Sequence, residues 1–261
     1  MTKEQLVMVG KAEFGGIMYN YKMKLQYDGL RYDGWLRGRD EGSNTIETKI
    51  VEVLKKLTGE EIDLVCGCRT EKGVHALAQV ANFKLEKRLA PLEIRNYLNR
   101  YLPRDIAVYE LSQVDERFNA QLNAKSKTYE YRLDIANIAD VFSRKYSYHT
   151  FDKPDFKALH EGAKYFLGKH DFKAFTTAKR SKSTIKDIKN ISLEIEDHYA
   201  FLRIKANDFM HNQARLMIGM LLDISTGLKK PEDVKDALEG KDVTMSLPAE
   251  SYGLFLKEIE Y

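Results

Sequence analysis

Arg69, Thr70 and Glu71 put a cation, a hydroxyl and a carboxylate on three successive residues. A carboxylate held in place can act as nucleophile or base, and a guanidinium beside it suits a phosphate. The apolar run 62–66 before them predicts a short buried strand ending at Gly67. Gly73 closes the loop, and residues 80–85 alternate like a half-buried strand. The polar trio therefore stands at a strand end. A charged β-turn would account for Thr-Glu-Lys-Gly taken alone. Tyr129 alternates along a strand, which by itself is a core position. Arg215 sits among Phe209, Leu216 and Ile218 on an apolar helix. An arginine is rarely buried there without a partner, so a carboxylate beside it is expected.

The elements that must position these residues follow the hydrophobic pattern. Residues 19–27 alternate as a strand. Asn44 is the expected N-cap of a helix carrying Ile46, Ile50, Val53, Leu54 and Leu57, stopped by Gly59. Pro91 opens a second helix, and residues 106–111 form a strand. The order is β-α-β-β-α-β, a ferredoxin-like split βαβ arrangement. The second part repeats it. Residues 127–135 form a strand with Tyr129, Tyr131 and Leu133 on one face, and Asp152 caps a helix through Phe156 and Phe166. A hairpin turns at 196–198, a helix fills 209–225, a short one 231–238, and a strand closes the chain. The expected fold is α/β (α+β), with two such halves, 18–112 and 113–261, and a cleft between them. Residues 1–17 read as an N-terminal extension.

The composition sets outer limits. With 261 residues, 43% hydrophobic and 31% charged, the chain can bury a sizeable core. No apolar run is long enough for a membrane span and no signal-peptide pattern opens the chain, so a cytoplasmic protein is expected. Cys66 and Cys68, the only cysteines, point to opposite faces of a strand and read as buried thiols. With His75 they are too few for a zinc site. A net charge of +3 does not diagnose a nucleic-acid partner, but residues 169–189 hold seven Lys/Arg against two Asp. Taken alone, such a run reads as a solvated face.

The wording around the trio is more specific. Arg69-Thr70-x-x-Gly73-Val74-His75-Ala76 resembles the Arg-Thr-Asp-x-Gly-Val-His-Ala loop of the tRNA pseudouridine synthase A family. Glu71 stands where that family has its catalytic Asp. The resemblance runs on through Tyr27-Asp28-Gly29, Gly34-Trp35, Phe118-Asn119-Ala120 and Tyr129-Glu130-Tyr131. It continues through Gly168-Lys169-His170-Asp171-Phe172, Arg215 with Gly219, and Gly253-Leu254-x-Leu256. Leu36 replaces a family glutamine, Gln121 and Lys127 replace two arginines, and Gln213-Ala214 replace Met-Val.

The resemblance implies isomerisation of uridine to pseudouridine in RNA, in the anticodon arm of tRNA, by a homodimer needing no cofactor and no metal. It implies Glu71 as catalytic carboxylate, attacking C1′ or removing the C2′ proton, with Arg215 paired to it and Tyr129 against the uracil. Arg69, Thr70, His75, Lys169, His170, Lys179 and Arg180 are the implied RNA-binding residues, with His75 on its own terms a hydrogen-bonded structural residue. Trp35 reads as core. Glu71 is longer than Asp by one C–C bond, about 1.5 Å. The reading of another class is an RNA-binding or RNA-folding protein of this descent with little catalysis.

Overall fold

Nine residues alternating inward and outward make β1 (Tyr19–Tyr27). Its inward Tyr21, Met23 and Leu25 are fully buried. The computed structural model describes residues 18–36, 43–179 and 183–261. The extension 1–17, Arg37 and Arg39, and Arg180 and Lys182 lie outside the described residues.

The first half continues with α1 (Ile46–Thr58), β2 (Val65–Cys66), β3 (His75–Leu85), α2 (Pro91–Tyr101) and β4 (Ile106–Val114). β1 lies between β3 and β4, antiparallel to both, and β2 pairs antiparallel with β3. The second half comprises β5 (Ser126–Asp134), β6 (Tyr148–His149), α3 (Phe156–Phe166), β7 (Gly168–Asp171), β8 (Ile185–Glu196), β9 (Tyr199–Ala206), α4 (Gln213–Ser225), α5 (Glu232–Leu238) and β10 (Leu254–Glu260). Here β5 lies between β9 and β10, and β8 pairs with β9. Both halves therefore show the strand order of a split βαβ unit.

The junction, which periodicity could not supply, is made by β10. It pairs antiparallel with β5 and parallel with β3 through Phe255↔His75 and Leu256↔Ala76, so all ten strands belong to one sheet. The register Leu256↔Tyr129 puts Tyr129 one strand away from Ala76, just past the loop that carries Arg69, Thr70 and Glu71. The fold thus brings the start of β3 and Tyr129 to either side of a single intervening strand.

Three boundaries differ from expectation, each for a local reason. Thr45, not Asn44, caps α1, its hydroxyl accepting from Thr48 N at 3.3 Å. The Asn44 amide is already used on the Arg31 carbonyl at 2.7 Å. Asp155, not Asp152, caps α3, accepting from Lys157 N and Ala158 N. Pro154 keeps the residue before it extended, so the helix begins beyond it. The apolar helix expected from 209 starts at Gln213, because Asn212 takes a left-handed conformation (φ 58°). Asparagine tolerates that conformation better than most residues. This last shift decides the site.

Candidate active site

The loop 67–74 is fixed by backbone and buried polar contacts. Gln79, fully buried on β3, grips Cys68 from both sides: its Oε1 accepts from Cys68 N at 3.3 Å and its Nε2 donates to Cys68 O at 2.6 Å. Trp35 N donates to Thr70 O at 3.0 Å, and Thr70 Oγ1 lies 2.8 Å from the Tyr27 hydroxyl. Gly34 (φ 101°) passes so close that a Cβ there would meet Thr70 O at 2.6 Å. A Cβ on Gly29 would meet Val74 O at 1.9 Å. The Tyr-Asp-Gly and Gly-Trp segments are therefore the seat of the loop. Trp35 is 1% exposed and belongs to the core.

Above this seat is a cavity of about 560 Å³ lined by both halves of the chain. Glu71 and Arg69 line it from the loop, Lys127 and Tyr129 from β5, and Asp208, Phe209 and His211 from the approach to α4. The volume falls in the usual range for a small-molecule or nucleotide pocket. Leu36, Gln121 and Ala214 also line it, so with Glu71 and Lys127 five of the positions that depart from the family pattern border the site.

The Glu71 carboxylate reaches across the cavity to the head of α4, where Oε1 accepts from Asn212 N at 2.7 Å. A charge-assisted bond of this kind orients the carboxylate strongly. Asn212 is itself held on two sides. Its Oδ1 accepts from Arg215 Nη1 at 3.2 Å, and its Nδ2 donates to Thr177 Oγ1 at 2.9 Å. Thr177 Oγ1 also faces His211 Nδ1 at 2.6 Å. Tyr129 is buried, stands edge-on to Phe209 with ring centroids 5.1 Å apart, and its hydroxyl lies 3.3 Å from Cys68 Sγ. Burial first, with the Cys68 and Glu71 charges added, pushes its phenol well above the ordinary value. It stays a neutral hydroxyl. Burial likewise pushes the Cys66 thiol up to about 12. Cys66 and Cys68 are both buried and free.

Several expected site residues fall elsewhere. Arg215 forms no ion pair with Glu71. Its Nε donates to the Ala249 carbonyl at 2.7 Å, and it reaches the carboxylate only through Asn212. The left-handed turn at Asn212 places a backbone N–H where an ion pair was expected. His75 is 1% exposed and not available to RNA: Nδ1 accepts from Gly29 N at 3.1 Å, and Nε2 faces the Tyr252 carbonyl at 3.1 Å. Burial, ahead of the opposing pull of Asp28, lowers its pKa, so the imidazole is neutral. Thr70 is 4% exposed and spent on Tyr27. His170 bonds the Leu167 carbonyl at 2.8 Å on β7.

Arg69, Lys169 and Lys179 are exposed, and Arg69 borders the cavity. Phe172 and Phe175 pack with Phe166 and anchor the segment that carries Thr177 to Asn212. Lys127, Asp208, Asn212 and Thr177 are among the residues that sequence reasoning did not assign to the site. A signal for Asn212 was present: Asn immediately before an unbroken apolar helix is an N-cap pattern.

Comparison with known proteins gives a consistent picture. A family model described as tRNA pseudouridine synthase matches residues 24–122 and 163–261, together more than half of the chain. The tRNA pseudouridine synthase A of Bacillus sp. (strain KSM-64) is 40% identical over 245 residues, covering 94% of this chain and 100% of that one. The tRNA pseudouridine synthase A 1 of Clostridium tetani (strain Massachusetts / E88) is 41% identical over 249 residues, with the same coverage. Among solved structures, a Cbf5-Nop10-Gar1 complex aligns at TM-score 0.34 and 13% identity, over 77% of this chain and 45% of that one, and carries no weight here.

Proposed function

The chain belongs to the tRNA pseudouridine synthase family, and from that premise we propose that it isomerises uridine in the anticodon stem-loop of tRNA with Glu71 as the reacting carboxylate. The family reaction breaks the C1′–N1 bond, turns the uracil, and joins C5 to C1′. The carrying observation is that Glu71, Arg69 and Tyr129 line one cavity while Glu71 is oriented by Asn212 N at 2.7 Å. Either role of the carboxylate, attack at C1′ or removal of the C2′ proton, needs it ionised and fixed against the sugar.

The division of labour follows the two halves: 18–112 supplies the carboxylate loop, and 113–261 supplies Tyr129 and, through Asn212, Arg215. The target nucleotide leaves its stack to enter the cavity, because the glycosidic bond is shielded inside a helix. Arg69 at the mouth fills the space of the extruded base and holds phosphate. Lys169, Lys179 and Arg180 track the RNA backbone with salt-dependent affinity. His75, Thr70 and His170 belong to the scaffold. No helix among the described residues is long and apolar enough to cross a membrane, and we read the enzyme as a cytoplasmic homodimer.

Glu71 in place of Asp is the observation that favours the second reading, a binding protein with little catalysis. Pseudouridine formation in bulk tRNA by the purified protein separates the two. Turnover that disappears in Glu71→Gln supports the enzyme, whereas tight tRNA binding without turnover supports the binding protein.

A further inference from the structure

Lys127 stands two residues before Tyr129 on β5, so the two side chains leave the same face of the sheet. The Lys127 side chain is only 8% exposed, yet it lines the cavity. Its Nζ lies 2.5 Å from Asp208 Oδ1, while Asp208 Oδ2 takes Lys186 Nζ at 2.9 Å. One carboxylate thus serves two ammonium groups, and the cluster carries a net charge of +1. An ammonium has three N–H donors. Among the described residues only Asp208 accepts from Lys127. A buried charge with open donors is costly unless an acceptor arrives, and the open side here is the cavity. Burial pulls the Lys127 pKa down, but the Asp208 carboxylate beside it raises it above the usual lysine value, and the group stays protonated.

The reaction calls for a cation at this place. When C1′–N1 breaks, the bonding pair stays on uracil, whose charge spreads over N1, O2 and O4. This holds whether Glu71 attacks C1′ or takes the C2′ proton. We propose that Lys127 is a catalytic residue that donates a hydrogen bond to a carbonyl oxygen of the departing uracil and stabilises its negative charge while the ring turns. Lys127 keeps its proton throughout. The pair on C5 then forms the new bond to C1′ as the Glu71 carboxylate leaves C1′, or as the proton it took returns to C2′; C5 loses its proton and N1 gains one, so the sum is an isomerisation. Tyr129, neutral and one pleat away, confines the ring beside it. The proposal rests on the function proposed above.

The test is the single-turnover rate of C1′–N1 cleavage in tRNA for Lys127→Met and Lys127→Arg. Methionine keeps the stem and removes the charge, and Lys186 still neutralises Asp208. The expected result is a fall of about 10²-fold in the chemical step, the scale for one donor lost at a developing anion. tRNA affinity stays within a few-fold of wild type, and Lys127→Arg recovers most of the rate. Fluorine at C5 makes the uracil anion a better leaving group. With 5-fluorouridine at the target position the gap between Lys127→Met and wild type should therefore narrow.

A scaffold role would slow both substrates equally, and that result overturns the proposal. So does wild-type speed in Lys127→Met, or a loss confined to tRNA affinity. If Lys127→Met unfolds at the assay temperature, Lys127→Gln, which still bonds Asp208, is read by the same criteria. Absence of pseudouridine formation by the wild-type protein would instead remove the underlying functional reading, before any variant is made.

Discussion

Glu71→Asp tests whether the site has been rebuilt around the longer carboxylate. Oε1 sits 2.7 Å from Asn212 N. Withdrawing the carboxylate by one C–C bond, about 1.5 Å, opens that separation to about 4 Å, beyond hydrogen-bond range. The loop has little freedom to follow, since Gln79, Trp35 and Tyr27 hold it on the other side. A hydrogen bond to a charged group contributes about 1.5–3 kcal/mol, which corresponds to roughly 10–150-fold in rate. A reacting group misplaced by about 1 Å loses on the order of 10²-fold. The two estimates agree on about 10²-fold. Single-turnover pseudouridine formation at saturating tRNA measures it, with affinity determined in parallel. Activity of Glu71→Asp equal to or above wild type would refute the reasoning, because the surroundings would then still fit the shorter residue.

Three other outcomes follow from the geometry. Arg215→Ala loses bonds to Ala249 O and Asn212 Oδ1 but breaks no ion pair with Glu71; it should cost about 1–3 kcal/mol in urea unfolding, and a loss near 5 kcal/mol would point to a buried ion pair instead. Gly34→Ala drives a Cβ to 2.6 Å from Thr70 O, whereas Gly59→Ala meets nothing within 4 Å at a similarly positive φ; Gly34→Ala should destabilise more than Gly59→Ala, which costs about 1 kcal/mol, and equal losses would show that the contact is relieved without strain. His75 has a folded-state pKa below the ordinary value of about 6.5 because it is buried. The folded protein then binds fewer protons than the unfolded chain, so its contribution is intact above about pH 6.5 and lost as pH falls toward the folded-state pKa. Urea unfolding between about pH 7 and pH 5 should show that slope in wild type and a shallower one in His75→Gln; identical slopes would remove His75 as the cause.

The strands and helices were legible because each buries an alternating or helical face whose spacing is local. Tyr129, Tyr131 and Leu133 on β5 are one instance, and Ile46, Ile50 and Leu54 on α1 are another. The sheet junction was not legible. The pairing Phe255↔His75 joins residues 180 positions apart and leaves no periodic trace. Within the site, the loop wording pointed to Arg69 and Glu71, and both line the cavity. Arg215 was misassigned a partner because hydrophobicity ran the helix back to Phe209, whereas the left-handed Asn212 starts it later and offers a backbone N–H instead. His75 and Thr70 sit inside the motif yet face the core, since a short loop must spend some of its polar groups on holding itself in place. Asp208 was hidden because its role depends on Lys127 and Lys186 from two other strands.

If Glu71 is the working carboxylate of an RNA pseudouridine synthase, removing its charge must stop the chemistry while leaving RNA binding. The direct measurement is pseudouridine formed in tRNA by wild-type protein and by Glu71→Gln, with tRNA affinity measured for both. The amide can still accept from Asn212 N but can neither attack C1′ nor take a proton. The expected outcome is turnover by the wild type, none above background in Glu71→Gln, and closely similar affinities. Turnover in Glu71→Gln near the wild-type rate would contradict it.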